Sequence, residues 1–198
     1  MLKILILAIA IILTSSPALP FKTFADTGLC EFRTTDKEKP TGELAFKIGR
    51  AYAETGVFDS AAVYLMRAID ANSNVAAARP LLAQALLDTR NFNAALPHAE
   101  FLSSQEPNNL VYLRMLAASY EGVDNGEKLA EIDRRIVALD QNDLPTRLRL
   151  ARFAESTNDL AVAYAMYSEA AALDSRNPDL LKKLADLASR INQLAGEN

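Results

Sequence analysis

Few residues of this chain could do chemistry. His98 is the only histidine and Cys30 is the only cysteine among 198 residues. A zinc site needs several His or Cys ligands, and a nucleophile paired with a histidine would have to use His98, which lies between Pro97 and Ala99 with no motif around it. The sequence also has no glycine-rich phosphate-binding loop. We therefore predict no catalytic residues, no metal, no cofactor and no small-molecule substrate, and a protein that is not an enzyme.

The charge of the chain argues against polyanionic partners. The formal net charge is −4, and the sequence has no run of basic residues. Because nucleic acids and anionic membranes attract basic surfaces, we expect neither as the main partner. One predicted helix does carry three arginines with two acids beside them. They are Arg147, Arg149 and Arg152, with Asp143 and Glu155. We interpret this cluster as a solvated helix face.

A pattern that repeats every 34 residues covers most of the chain. Four blocks begin at Gly42, Ala76, Leu110 and Leu144, and a fifth half-block begins at Pro178. The seventh residue of every block is apolar and the eighth is small. These pairs are Ile48 and Gly49, Leu82 and Ala83, Leu116 and Ala117, Leu150 and Ala151, and Leu184 and Ala185. A unit of this length cannot bury its apolar face alone, so the blocks must stack on one another.

Each block predicts two helices joined by a turn. Apolar residues recur at helical spacing in the first half, a polar break follows, and the second half is rich in alanine. We predict Asp59 and Asp159 as N-caps of second helices, because a short carboxylate accepts the unpaired amide hydrogens of a first helical turn. Pro80 and Pro97 are expected in or near the first turn of their helices, where a missing N–H is tolerated.

These columns resemble the tetratricopeptide repeat (TPR) family. The residues that carry the resemblance in the first block are Ile48, Gly49, Tyr52, Gly56, Phe58, Ala61 and Ala68. The resemblance implies an all-α fold, a TPR-type α-solenoid of four helix-turn-helix repeats plus a C-terminal capping helix. The repeats would be residues 42–75, 76–109, 110–143 and 144–177, and the capping helix would be residues 178–198 with Asn177 as its N-cap.

The third block departs most from the family pattern. Gly126 replaces the first aromatic residue, Leu129 replaces an alanine, and Asp133 replaces the second aromatic residue. The signature tryptophan is absent from the whole chain. An apolar stripe still predicts a second helix here, slightly rotated from the family geometry. The stripe consists of Leu129, Ile132, Ile136 and Leu139.

In TPR proteins the first helices of successive repeats line a concave groove that binds a peptide or a helix. The resemblance implies a groove here that mixes apolar anchors with arginines and acids. The predicted partner-binding residues are Phe46, Arg50, Glu54, Gln84, Leu87, Asp88, Val111, Arg114, Glu121, Leu148, Arg152 and Glu155. Arginine suits the recognition of carboxylates or backbone carbonyls. The alternative is that these charges pair with one another across the groove and keep it soluble.

The N-terminus predicts export. Residues 1–25 have a basic start, an apolar run of about ten residues and small residues after it, which is the layout of a secretory signal peptide. Cleavage would follow Ala18 or Ala25. The alternative is an uncleaved membrane anchor. Residues 26–41 read as a polar leader, and Cys30 within it is interpreted as an unpaired thiol.

The predicted function is an exported protein-interaction scaffold or assembly factor of a cell envelope, located in a bacterial periplasm or anchored in the inner membrane. Its partner would be another protein, a peptide or a helical segment, bound in the groove of the first helices. The competing hypothesis is a self-associating structural element that forms homo-oligomers.

Overall fold

The structure is a computed structural model that describes residues 41–73 and 75–196. These residues form nine α-helices and no strand: α1 Gly42–Glu54, α2 Phe58–Asp70, α3 Val75–Asp88, α4 Phe92–Gln105, α5 Leu110–Gly122, α6 Gly126–Leu139, α7 Leu144–Ser156, α8 Leu160–Leu173 and α9 Pro178–Gly196. The second helices α2, α4, α6 and α8 begin 34 residues apart. The predicted all-helical solenoid is confirmed. The predicted signal peptide, its cleavage sites and Cys30 lie outside the described residues.

Consecutive helices pack against one another along the chain. The apolar seventh and small eighth residues of all four repeats are buried at these contacts. Gly49 shows why the eighth residue must be small. A Cβ atom added to Gly49 would lie 2.8 Å from Leu65 Cγ and 2.9 Å from the backbone nitrogen of Leu65, so α1 and α2 approach too closely there for a side chain. Repetition of this contact accounts for the stacked helix pairs.

The turn inside each repeat has the same backbone conformation. The fifteenth residue of every repeat has a left-handed φ, with values of 76° at Gly56, 58° at Arg90, 57° at Asp124 and 60° at Asn158. This conformation suits glycine and is tolerated by Asn and Asp, whereas an arginine in it is strained. The period therefore extends from side-chain burial to the backbone of the turns.

Helix capping agrees with the sequence at some positions and differs at others. Asp159 caps α8 by accepting a hydrogen bond from the backbone N–H of Val162, as predicted. The prediction for Asp59 is wrong: α2 begins at Phe58, so Asp59 lies within the first turn and not at the cap. The placement of the two prolines is also wrong, because Pro80 and Pro97 are each the sixth residue of their helix.

The N-cap of α9 follows the sequence. The side-chain oxygen of Asn177 accepts hydrogen bonds from the backbone N–H groups of Asp179 (3.2 Å) and Leu180 (3.4 Å). The helix then begins at Pro178, where the missing proline N–H leaves no helical hydrogen bond unmade.

The buried face of the second helix of the third repeat, α6, overlaps the predicted stripe only in part. Its buried residues are Ala130, Ile132, Asp133 and Ile136, whereas Leu129 is only partly buried and Leu139 is exposed. The missing aromatic residue at Gly126 is compensated from the next repeat. A Cβ added to Gly126 would lie 3.1 Å from the ring of Phe153 on α7, so that ring occupies the space above the glycine.

Candidate functional site

Three hollows lie in series along the first helices, and we call the side on which they open the groove face. The hollow between α3 and α5 has a volume of about 380 Å³, the hollow between α5 and α7 about 480 Å³, and the hollow between α7 and α9 about 290 Å³. The predicted binding residues that line them are Gln84, Leu87, Asp88, Val111, Arg114, Glu121, Leu148 and Arg152. The structure therefore brings most of the predicted set together on one face.

The α3–α5 hollow is mainly apolar. Leu87, Phe92, Met115 and Ala118 line it, and Val111 stands at its edge with 58% of its surface exposed. The polar residues at this end are partly engaged with each other, because the Gln84 amide donates to both carboxylate oxygens of Asp88 at 3.1 Å. The hollow can accept an apolar side chain of a bound segment.

Arg114 lines both the α3–α5 hollow and the α5–α7 hollow, and its guanidinium donates hydrogen bonds to two carboxylates. Its Nη2 donates to Asp140 Oδ2 at 3.0 Å and to Asp143 Oδ2 at 2.9 Å. Asp143 also caps α7, because its Oδ1 accepts the N–H of Thr146 at 3.1 Å. Although burial opposes ionisation of Asp143, the hydrogen bonds from Arg114 and Thr146 lower its pKa. Arg114 is thus largely neutralised within the chain.

Arg149 and Asp133 form a two-pronged ion pair behind the α5–α7 hollow. Arg149 Nε donates to Asp133 Oδ2 at 2.6 Å, and Nη2 donates to Oδ1 at 2.5 Å. Only 1% of Asp133 is exposed. Burial raises the pKa of Asp133, while the hydrogen bonds from Arg149 oppose that shift. The remaining nitrogen of Arg149 lies 3.9 Å from Glu121 Oε2, which links the pair to the groove face.

The interpretation of the arginine cluster as a solvated face is wrong for two of its members. Arg149 is engaged as described, and Arg147 is buried, with its Nη2 donating to the carbonyl of Gln141 at 2.8 Å and its Nη1 to Glu169. Only Arg152 is exposed to solvent. It lines the α7–α9 hollow and makes no ion pair within the part of the chain that the structure describes.

Glu155 joins α7 to the last helix. It accepts hydrogen bonds from Lys183 Nζ at 2.7 Å, Arg190 Nη1 at 3.3 Å and the Tyr167 hydroxyl at 3.4 Å. The hydrogen bond from Lys183 contributes most to a lowered pKa of Glu155. This residue was predicted to contact a partner, and the structure places it in a contact that holds α9.

The predicted residues of α1 lie apart from the three hollows. Phe46 is partly buried against the core of the first two repeats. Arg50 and Glu54 are both exposed and pair with each other along the helix, with Arg50 Nε 3.5 Å from Glu54 Oε1. Of the three predicted groove arginines, Arg50 and Arg114 therefore have carboxylate partners in the chain, but the Arg50 pair lies along one helix and not across the groove.

Sequence reasoning named Glu121 at the α5–α7 hollow but gave no role at the site to Asp133, which lies behind it. Asp133 occupies the twenty-fourth position of its repeat, where the other repeats have the buried residues Leu65, Ala99 and Tyr167. A carboxylate in an otherwise apolar column requires a partner. That conflict was visible in the sequence and could have predicted a cation nearby, although not which one.

His98, the histidine that a catalytic site would have to use, lies against an arginine of α3. The His98 ring is partly buried, with Nδ1 3.3 Å from Arg79 Nη1, and burial followed by the charge of Arg79 lowers its pKa. Among residues 41–73 and 75–196, no three His, Cys, Asp or Glu side chains are grouped so that they could bind a metal ion. None of the helices within those ranges has the length and apolar character needed to span a membrane.

Comparisons with known proteins agree with this architecture. The structure is similar to MamA MSR-1, with a TM-score of 0.62 and 20% identity over 76% of this chain and 86% of that one. It is also similar to MamA from Desulfovibrio magneticus RS-1, with a TM-score of 0.59 and 21% identity over 76% of this chain and 84% of that one. Identities this low establish the fold alone.

The chain is also similar in sequence to a known protein. It is 30% identical over 116 residues to cellulose synthase operon protein C of Pseudomonas fluorescens SBW25. The match covers 59% of this chain but only 9% of that relative. No family model matches the sequence. Together with the structure, these similarities show that the chain has the TPR-type α-solenoid fold.

Proposed function

We propose that this protein is a non-catalytic adaptor that binds a peptide or helical segment of another protein along its groove face. The observation that carries the proposal is the series of three hollows between successive first helices. The first accepts an apolar side chain and the next two present charges. This arrangement lets one bound segment be anchored by burial in the first hollow and oriented by ion pairs in the other two.

Four of the residues predicted from the sequence to bind a partner are not part of the proposed binding surface. Arg50, Glu54 and Phe46 lie outside the three hollows, and Glu155 is occupied by α9. We therefore assign recognition to α3, α5 and α7, with Arg152 as the groove arginine whose charge is open to a ligand. An exported location in a cell envelope is part of the same proposal and rests on the signal-peptide pattern of residues 1–25.

Site-specific photo-crosslinking tests the groove. A photoreactive phenylalanine analogue at Val111 would label a partner in envelope extracts, because this side chain stands at the edge of the first hollow. Val63 on the second helix α2 is the matched control, since it is 50% exposed against 58% for Val111. We expect a discrete adduct from position 111 that is absent from position 63.

Two other outcomes would reject the adaptor proposal. Equal labelling from both positions would mean that the contact is not specific to the groove face. Adducts that contain only this chain would favour the self-associating element, and the mass of the crosslinked species distinguishes that result from a second protein. Replacement of Arg152 by alanine should weaken the specific adduct without changing the helical content measured by circular dichroism.

The location is tested by the N-terminal sequence of the protein recovered from fractionated cells. A chain that begins after Ala18 or Ala25 in the periplasmic fraction would support export. An intact N-terminus in the membrane fraction would support the anchored alternative, and an intact chain in the cytoplasmic fraction would reject both.

A further inference from the structure

The α5–α7 hollow has an excess of negative charge. Five charged residues line it, Arg114, Arg149, Glu121, Asp140 and Asp143, and the buried Asp133 stands directly behind Arg149. Two cations are therefore set against four carboxylates. The arginines in this groove were expected to attract an acidic ligand, but within this hollow they are outnumbered.

The hydrogen bonds of the hollow pair both arginines with carboxylates of the chain. Arg149 uses two of its nitrogens on Asp133, and Arg114 bridges Asp140 and Asp143 through one nitrogen. Glu121 is the most exposed of these charged side chains at 61%, ahead of Arg114 at 50% and Asp140 at 35%. Because Arg114 is already bound to two carboxylates, Glu121 is the charge in this hollow that is most accessible to a ligand.

The mainly apolar α3–α5 hollow and the negatively charged α5–α7 hollow are continuous. Arg114 and Ala118 line both of them. A single bound segment can thus place an apolar side chain against Leu87 and Val111 and, beyond it, a second side chain against Glu121. Electrostatic complementarity selects a cation for the second position.

We infer that the segment bound on the groove face carries a lysine or arginine that enters the α5–α7 hollow, next to an apolar residue that enters the α3–α5 hollow. This inference rests on the proposed function and specifies the chemistry of the partner. Glu121 makes the principal contact with the cation, and the carboxylates of Asp140 and Asp143 neutralise Arg114.

A pair of synthetic peptides tests the charge. Both are fluorescein-labelled 14-residue amphipathic helices with the same leucine stripe and differ only in bearing three lysines or three glutamates on the polar face. Binding to the full-length chain is followed by fluorescence anisotropy in 20 mM and 150 mM NaCl. We expect the lysine peptide to bind about tenfold more tightly at low salt, with a smaller preference at the higher salt.

Charge-matched variants assign the preference to the hollow. Glu121→Gln should weaken the lysine peptide about threefold. Glu127→Gln removes the same charge from an exposed position on α6 that does not line the hollow, and it should have no effect. Arg152→Gln, which removes a cation from the next hollow, should not weaken the lysine peptide. Equal affinities for the two peptides, no binding of either at 1 mM, or equal effects of the two glutamate variants would overturn the inference.

Failure of this inference can be told apart from failure of the proposed function. Val111→Gln should weaken both peptides equally if they lie on the groove face, whatever their charge. Sensitivity to Val111 without a preference for lysine would leave the adaptor proposal standing and reject the cation site. Tight binding that is unchanged by Val111→Gln would reject the groove face as the binding site.

Discussion

The first two repeats are joined to each other by apolar contacts, whereas repeats three and four and α9 are also tied together by ion pairs. In the first repeat, Leu65 packs under Gly49, and the rings of Tyr52 and Tyr64 stack with their centroids 5.7 Å apart. The ion pairs described in α1–α4 stay within α1 and are exposed. Apart from one pair within α6, the ion pairs described in the later part of the chain join different helices or their caps, as those of Asp133 and Glu155 do.

The comparison shows that one repeat pattern accommodates either an apolar or a charged side chain at the same buried position. The twenty-fourth residue is buried in every repeat, and it is Leu65 in the first and Asp133 in the third. The charge is accommodated because the sixth residue of the next repeat is Arg149, where the third repeat itself has Met115. Stacking thus lets one repeat supply the partner that its neighbour lacks.

The largest expected effect comes from breaking that pair. Asp133→Ala leaves Arg149 without its partner in a mostly buried site and should reduce the free energy of unfolding by about 3 kcal/mol. The double change Asp133→Leu with Arg149→Met installs the residue types that the first and third repeats have at these positions. It should restore most of that loss, as measured by urea denaturation with circular dichroism. A double variant as unstable as the single one would mean that residue types cannot be exchanged between equivalent positions of different repeats.

The contact of α9 should depend on Glu155 and on pH. Glu155→Ala removes the acceptor of Lys183 and Arg190 and should cost about 1.5 kcal/mol, since both donors are partly exposed. The pKa of Glu155 is lowered in the folded chain. Its contribution is therefore complete above the ordinary glutamate pKa of 4.5 and is lost as the pH falls through the folded value. The protection factors for amide hydrogen exchange in α9 should fall at low pH, and less so in Glu155→Gln.

A smaller change tests the close helix contact in the first half. Gly49→Ala would improve helix propensity, yet its Cβ would meet Leu65 at 2.8 Å. We expect a net loss of about 1 kcal/mol in the free energy of unfolding. Gly126→Ala is the control in the second half, where the nearest atom is the edge of the Phe153 ring at 3.1 Å. Its effect on the urea midpoint should be smaller, and equal losses would contradict a tighter packing of α1 on α2.

The smallest expected effect concerns the turns. Arg90→Gly relieves a left-handed arginine with φ of 58° and should raise the free energy of unfolding by about 0.5 kcal/mol, because the greater freedom of glycine in the unfolded chain offsets part of the gain. Asn158→Gly at the matching turn of the fourth repeat should give less, since asparagine tolerates this conformation. Thermal melting of the two variants compares them directly. A decrease with Arg90→Gly would show that its side chain contributes a contact.

Some features of the groove could be predicted from the sequence because they repeat. The positions of Leu87, Val111 and Leu148 on the first helices follow from the period and the resemblance to TPR proteins, and the structure places them at hollows. Their role in binding stays a prediction. The prolines show the limit of local reasoning, since Pro80 lies in the second turn of α3 although its residue type favours the first.

The sequence by itself determined the number of repeats, which segments form the first and second helices, and the need for a small eighth residue. These features are periodic, and a stack of equal units preserves a period. Only the tertiary structure decided which charges are available to a partner. Asp133 and Arg149 are 16 positions apart, and Glu155 and Lys183 are 28 apart. Side chains on different helices meet through the angle and spacing of the stack, and one sequence pattern is compatible with several such pairings.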